Sequence, residues 1–123
     1  MIEREERGDV RILRMARGKG NSLSLDFMEA LLAELDAAES SSARALVLTG
    51  QEKVFCAGVD LFLVLEKGRP YLDAFLPTLD RLFLRLLTFP KPTVAAINGG
   101  RQAYLQRVCK KLLGIHLFHR CRY

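Results

Sequence analysis

The feature that most constrains this chain is a continuous apolar run, Ala45–Thr49, that leads into a loop of small residues. Such a run is typical of a parallel strand whose two faces are covered by other elements. Within residues 53–61, Ala57 and Gly58 place little side chain in the way of a ligand. Free N–H groups on such a loop are suited to hold negative charge on a carbonyl oxygen. The alternative is an ordinary tight loop between a strand and a helix.

The composition favours one folded domain. Half of the 123 residues are hydrophobic and 27% are charged, which suits a packed core better than disorder. No apolar run approaches the roughly 20 residues of a membrane span, and the charged N-terminus has no secretory hydrophobic region. The three cysteines have no framework spacing. We therefore expect a cytoplasmic protein without a membrane partner.

The net charge of +5 belongs to the C-terminal tail. Residues 1–100 hold thirteen basic and fourteen acidic side chains, whereas residues 101–123 hold six basic and no acidic ones. The nearly neutral body gives no reason to expect nucleic-acid binding, although a small basic binding module in the tail stays an alternative. We predict a domain over residues 1–100 and a tail over residues 101–123 that is poorly ordered or forms a short helix through Leu113.

The tail also carries residues that bind metals in other proteins. These residues are Cys109, His116, His119 and Cys121. Their spacing fits none of the usual structural zinc patterns, so no metal site is predicted.

The body alternates strands and helices. The predicted strands are Val10–Met15, Ala45–Thr49 and residues 93–97. One helix begins after Ser24, a good N-cap residue, and ends near Ala38. A second covers residues 71–89, after a break at residues 68–70, and Pro77 is expected to kink or restart it. This alternation predicts an α/β fold whose parallel strands are joined by right-handed crossovers.

Four segments resemble the N-terminal half of the enoyl-CoA hydratase/isomerase (crotonase) superfamily, in family order and at about family spacing. They are residues 21–25 (NSLSL), 45–50 (ALVLTG), 55–61 (FCAGVDL) and 90–99 (PKPTVAAING). The resemblance implies a partial crotonase-like ββα spiral and an acyl-CoA thioester as ligand. It implies no separate cofactor, since coenzyme A is part of the substrate. Family members are usually homo-oligomers.

The resemblance also implies roles for residues 53–61, which we call the central loop. The backbone N–H of Val59, between the glycine and the aspartate, corresponds to one donor of an oxyanion hole. Cys56, Ala57, Gly58 and Asp60 would line the thioester and the rest of coenzyme A. We expect Cys56 to be a small packed residue rather than a nucleophile. Asp60 is expected to be a loop or helix-cap carboxylate rather than an acid or base.

The chain departs from the family pattern after Gly99. Family members continue with a glycine-rich turn that supplies the second oxyanion donor, and then with a helix that carries a catalytic carboxylate. Here residues 100–105 read GRQAYL, and no acidic residue follows Asp80. The expectation is therefore a truncated, catalytically incomplete member whose tail arose by a frame change, deletion or fusion. The alternative is a non-catalytic fragment that binds acyl-CoA weakly or associates with full-length subunits.

Overall fold

A sheet of five strands in sequence order runs through the computed structural model, which describes residues 1–18, 20–98 and the backbone of 116–119. The strands are β1 (Ile2–Arg7), β2 (Val10–Met15), β3 (Ala45–Thr49), β4 (Thr93–Ile97) and β5 (His116–His119), and the helices are α1 (Leu25–Glu39) and α2 (Leu61–Leu87). β1 pairs with β2 antiparallel, and every later neighbour is parallel. The predicted α/β class with parallel pairing is confirmed.

The first helix begins where its capping residue predicts. The Ser24 hydroxyl accepts a hydrogen bond from the Phe27 N–H at 3.4 Å, which satisfies one of the free amides of the first turn. At the other end, the Lys91 ammonium donates to the carbonyls of Ala38 and Ser41 at 2.8 and 2.9 Å. A cation is favoured there by the helix dipole. Both ends of α1 are thus fixed by side chains.

One cluster of buried apolar side chains joins the sheet to both helices. Its members include Leu13 and Met15 of β2, Leu46 and Leu48 of β3, Phe27, Met28, Leu31 and Leu35 of α1, and Phe75 and Leu82 of α2. Burying each such side chain stabilises the fold by about 1.5–3 kcal/mol before entropy is counted. The alternation of buried residues along β2 and β3 therefore fixes which face of the sheet the helices cover.

The strand β1 was not predicted from the sequence. Five of its six residues are charged, which is unfavourable for a strand by propensity. Its backbone pairs with β2 over six residues, and two of its charges lie opposite complementary charges there: Glu6 faces Arg11 and Glu3 faces Arg14 across the ladder. A hairpin with Gly8 at φ +58° connects the two strands. Cross-strand ion pairs thus replace the apolar alternation that identifies most strands.

The break expected near residue 68 is present within α2. Gly68 has φ +66° and ψ −154°, a conformation outside the helical region, so α2 consists of two helical pieces that meet there. Helical backbone angles continue through Pro77, so the restart predicted at that residue is wrong. The predicted helix also began too late, because the segment from Leu61 onward is already helical.

Part of the tail belongs to the sheet. β5 pairs parallel with β4, with Val94 opposite His116 and Ile97 opposite His119. The sequence analysis did not predict a strand there. The helix predicted through Leu113 lies outside the described residues, and so do the side chains considered as zinc ligands. The domain boundary at residue 100 stays a prediction.

The helix α2 exposes much of its apolar surface. The exposed side chains are Leu61, Phe62, Leu65, Leu76, Phe83, Leu84 and Leu87, of which Phe62 and Leu65 are 87% and 81% exposed. Exposed apolar side chains in such number are typical of an interaction site or a source of association. Neither helix of the described residues is long and apolar enough to cross a membrane.

We expect this surface to make the isolated chain associate. Replacing Phe62 and Leu65 with serine should lower the sedimentation coefficient at a given concentration without lowering the melting temperature, because neither side chain packs in the core. The matched control is Glu66→Ser on the same exposed helical piece, which should leave association unchanged. A monodisperse wild-type monomer in sedimentation velocity would contradict the prediction.

Candidate functional site

The candidate site lies at the carboxyl ends of β2, β3 and β4, where ligands bind in open parallel sheets. Three connections meet at this edge: the loop after β2, the loop after β3, and Asn98 at the end of β4. The loop after β3 is hydrogen-bonded both to the loop after β2 and to Asn98, and Leu23 and Cys56 of the two loops also pack in the core cluster. The site is therefore built from backbone groups placed by a few polar side chains.

Asn21 holds the first two loops together. Its side chain is 1% exposed, its carboxamide oxygen accepts from the Arg17 N–H at 2.7 Å, and its amide group donates to the Met15 carbonyl at 2.9 Å. The same amide group approaches the carbonyls of Val54 and Phe55 at 3.3 and 3.2 Å. Its φ of +48° is left-handed, a conformation that asparagine tolerates better than most residues.

Asn98 performs the equivalent task between β4 and the loop after β3. Its carboxamide oxygen accepts from the Gly50 N–H at 3.2 Å, and its amide group donates to the carbonyls of Gly50 and Glu52 at 3.0 and 2.9 Å. Gly50 has no room for a side chain, because an added Cβ would lie 2.0 Å from the Val54 carbonyl oxygen. The loop therefore folds back tightly over the end of its own strand.

The central loop is fixed to the entrance of α1 by a short parallel bridge. The Leu23 N–H donates to the Gly58 carbonyl at 2.7 Å, and the Asp60 N–H donates to the Leu23 carbonyl at 2.9 Å. The Ala57 N–H adds a bond to the Gly20 carbonyl at 2.7 Å. Gly58 has φ +100°, which a residue with a side chain rarely adopts, and this conformation requires glycine at that position.

This bridge determines where the Val59 amide points. In a parallel β-bridge, one residue bonds to the two neighbours of the residue opposite it, and the N–H and C=O of that opposite residue point to the other side. The Val59 N–H therefore points away from Leu23, and within residues 1–18 and 20–98 it donates to no protein acceptor. Val59 is 36% exposed. The bonds of Leu23 thus fix the backbone on both sides of this exposed residue.

Asp60 is a capping carboxylate, as predicted. One of its oxygens accepts from the Leu63 N–H at 3.3 Å, which caps α2, and the other lies 3.3 Å from the Arg17 guanidinium. Its φ of −75° and ψ of 83° close a γ-turn in which the Leu61 N–H donates to the Val59 carbonyl at 3.0 Å. With both oxygens engaged, the side chain is committed to structure.

The structure also places the other predicted loop residues. Cys56 is 7% exposed and belongs to the core cluster, which confirms it as a packed residue, and its sulfur accepts from the Gly58 N–H at 3.5 Å. Ala57 is exposed and Gly58 is half-buried. These two residues and Val59 present mainly backbone at the surface of the loop. Their role in binding stays a prediction.

Asp26, in the first turn of α1, is the acid near this site whose protonation is clearly shifted. The Ser24 hydroxyl is hydrogen-bonded to its carboxylate and holds the pKa below its usual value, and the Arg17 charge acts in the same direction. Partial burial opposes these effects. A carboxyl group with a lowered pKa is ionised at neutral pH, so Asp26 is not suited to donate a proton there.

A sequence model of the family described as enoyl-CoA hydratase/isomerase matches residues 5–103. The chain belongs to this family. Its members include an Alternaria alternata enoyl-CoA hydratase, 40% identical over 98 residues and covering 77% of this chain. A Thermus thermophilus protein whose name assigns it, provisionally, to the enoyl-CoA hydratases is 48% identical over 83 residues, which cover 64% of this chain.

Solved structures of the family agree with the fold. Human mitochondrial delta3-delta2-enoyl-CoA isomerase superposes with a TM-score of 0.76 at 30% identity, over 80% of this chain and 40% of that chain. The Thermoplasma volcanium enoyl-CoA hydratase gives a TM-score of 0.72 at 29% identity over the same shares. The matched regions are 33% and 31% of the Thermus and Alternaria proteins. The chain thus spans about a third of its curated relatives and represents a partial crotonase fold.

Sequence reasoning found the central loop but missed the residues that hold it. Arg17, Asn21 and Asn98 received no role, although they make the hydrogen bonds that join the loops. A signal was present for two of them, because an asparagine directly after a strand or loop glycine is a typical turn residue. Nothing in the local sequence connects Arg17 to Asp60, which lies 43 positions later.

Among the polar residues at the candidate site, we expect replacement of Asn21 to lower the unfolding free energy most. Asn21→Gly keeps the left-handed backbone accessible but removes the donor to three buried carbonyls, at a cost of about 2–4 kcal/mol in unfolding free energy. Ser22→Gly is the matched control, since the Ser22 hydroxyl has no hydrogen-bond partner within residues 1–18 and 20–98. It should cost about 1 kcal/mol or less. Equal losses for both variants in urea unfolding would contradict this role for the carboxamide.

Proposed function

We propose that the chain binds an acyl-CoA thioester with its carbonyl oxygen at the Val59 N–H. The observation that supports this most directly is the direction of that amide, which faces away from Leu23. Among residues 1–18 and 20–98 it has no protein acceptor. Family membership supports the choice of ligand, since the names of the relatives refer to enoyl-CoA substrates.

The physical role of this donor is electrostatic. When a proton leaves the carbon beside a thioester, or a nucleophile adds to its double bond, negative charge develops on the carbonyl oxygen. A preorganised N–H stabilises that charge without reorganising first. The bonds that Leu23 makes on both sides of Val59 supply this preorganisation. A backbone donor also does not depend on which side chain residue 59 carries.

The neighbouring residues are proposed to contact the ligand through their backbones. The exposed Ala57 and half-buried Gly58 leave space for the thioester. The Cys56 side chain packs in the core and the Asp60 carboxylate is engaged by Arg17 and Leu63, so these two residues contribute main-chain atoms. The proposed binding surface is therefore narrow and largely made of peptide groups.

We further propose that these 123 residues do not turn the thioester over by themselves. No acidic residue follows Asp80, and the carboxylates nearest to the Val59 amide in sequence are Asp60, whose two oxygens are engaged, and the exposed Glu52 and Glu66. General acid–base groups contribute about 100- to 10,000-fold in rate. A single amide donor then binds and polarises the ligand without completing a reaction.

A crotonyl-CoA hydration assay tests this incompleteness. We expect the enoyl absorbance of crotonyl-CoA to fall no faster than at the uncatalysed rate, because no acidic residue follows Asp80 to serve as a general acid or base. A family hydratase assayed at the same concentration is the positive control. Turnover that persists after repeated purification and disappears in a Val59→Pro variant would contradict the proposal.

Binding is tested separately by isothermal calorimetry with crotonyl-CoA. Val59→Pro removes the N–H and should weaken binding by about 2- to 10-fold, the value of one lost hydrogen bond. Val59→Ala keeps the N–H and should bind more tightly than Val59→Pro. Equal affinities for the two variants, with unchanged circular dichroism, would show that the amide does not contact the ligand.

Association with other subunits is a second candidate function. It is favoured by the exposed apolar side chains of α2, of which Phe62, Leu65 and Leu61 are the most exposed. Such surface is typical of proteins that pack against a partner. The sedimentation comparison described for the fold distinguishes this candidate from a monomeric binder.

A further inference from the structure

We infer that Arg17 is a positioning residue that polarises the Val59 amide through two hydrogen-bonded peptide groups. The inference rests on the function proposed for Val59 and extends it to a residue outside the central loop. Arg17 follows β2, and its guanidinium approaches the loop after β3. We call the connected groups between Arg17 and Val59 the amide relay.

The first step of the amide relay is a charged hydrogen bond. The Arg17 Nη1 donates to the Ser22 carbonyl oxygen at 3.0 Å. That oxygen belongs to the same peptide group as the Leu23 N–H. A cation at a carbonyl oxygen draws electron density through the peptide group and makes its N–H a stronger donor.

The second step repeats the first across the bridge. The Leu23 N–H donates to the Gly58 carbonyl oxygen at 2.7 Å, and that oxygen shares a peptide group with the Val59 N–H. The described peptide bonds are trans, so the Val59 N–H points opposite to the Gly58 carbonyl. Polarisation that begins at Arg17 therefore ends at the hydrogen that faces the proposed thioester oxygen.

The surroundings of Arg17 fix the position of its charge. A guanidinium is protonated at all relevant pH values, and the Arg17 side chain is only 24% exposed, which limits screening by water. Asp60 accepts from the same nitrogen at 3.3 Å, so the guanidinium is held in place by the residue that follows Val59. The Arg17 backbone is fixed as well, since its N–H donates to Asn21.

The competing explanation is a purely structural ion pair between Arg17 and Asp60. The two explanations predict opposite changes in the exchange rate of the Val59 amide when Arg17 is replaced. Amide hydrogen exchange near neutral pH begins with removal of the N–H proton by hydroxide, so a more polarised amide exchanges faster. Loss of polarisation slows exchange at Val59, whereas loss of structure accelerates it. Val59 has no protein acceptor within the described residues, so its exchange reports directly on the N–H.

The experiment measures exchange by NMR in the full 123-residue chain labelled with 15N. In Arg17→Met, exchange at Val59 should slow by about 2- to 5-fold, a fraction of the effect of losing a whole oxyanion donor. The Leu23 amide should exchange faster, because its hydrogen bond to Gly58 is weakened. Arg17→Lys keeps the charge and should retain most of the wild-type rate at Val59.

Arg17→Gln provides a second neutral variant in case Arg17→Met does not fold. Its carboxamide keeps a hydrogen-bond donor, and intact protection at Leu46 and Leu48 in the core shows that the variant is folded. The same slowing at Val59 is expected. Unchanged or faster exchange at Val59 in a folded neutral variant overturns the amide relay.

A ligand measurement separates this inference from the proposed function. The carbonyl 13C resonance of labelled crotonyl-CoA should move on binding to the wild type, and it should move less on binding to Arg17→Met. If the wild type does not bind crotonyl-CoA, the proposed function fails, and the exchange rates still decide the amide relay. If crotonyl-CoA binds and its carbonyl shift is the same in both proteins, the relay does not reach the ligand and the inference is overturned.

Discussion

The site depends on the two hydrogen bonds by which Leu23 holds the backbone on either side of Val59. One fixes the Gly58 carbonyl and the other fixes the Asp60 N–H, so the two peptide groups that flank the Val59 Cα each have a single direction. Without this bridge, the loop after β3 would be a flexible run of small residues, and ordering it on binding would cost about 1–2 kcal/mol per residue. The entrance of α1 thus serves as the rigid partner against which the central loop is built.

The polar side chains around this bridge explain how a surface loop is held without much apolar packing. Asn21 joins the end of β2 to the loop after β3, Asn98 joins the end of β4 to the start of that loop, and Lys91 fixes the end of α1. Carboxamides suit this task because one group both donates and accepts, and therefore satisfies carbonyls and amides left unpaired where strands end. The Val59 amide lies at the same edge of the sheet, and none of these contacts engages it.

The sequence predicted the elements whose signals are local and failed where the deciding contacts are distant. Ser24 and the apolar spacing behind it predicted α1, and the apolar run before Gly50 predicted β3. β1 was missed because its partners, including Arg11 and Arg14, lie on another strand. The restart expected at Pro77 was wrong, because the backbone stays helical there. The central loop was predicted from its composition, but the ion pair between Arg17 and Asp60 has no signature in either neighbourhood.

Because the proposed donor at Val59 is a backbone N–H, replacing the Val59 side chain does not remove it. Every residue type at position 59 except proline preserves the N–H on which the proposed function depends. The vulnerable positions are instead Gly50 and Gly58, where an added side chain would disturb the backbone path itself. The proposed donor is therefore insensitive to the identity of its own side chain and sensitive to the two glycines that shape the loop around it.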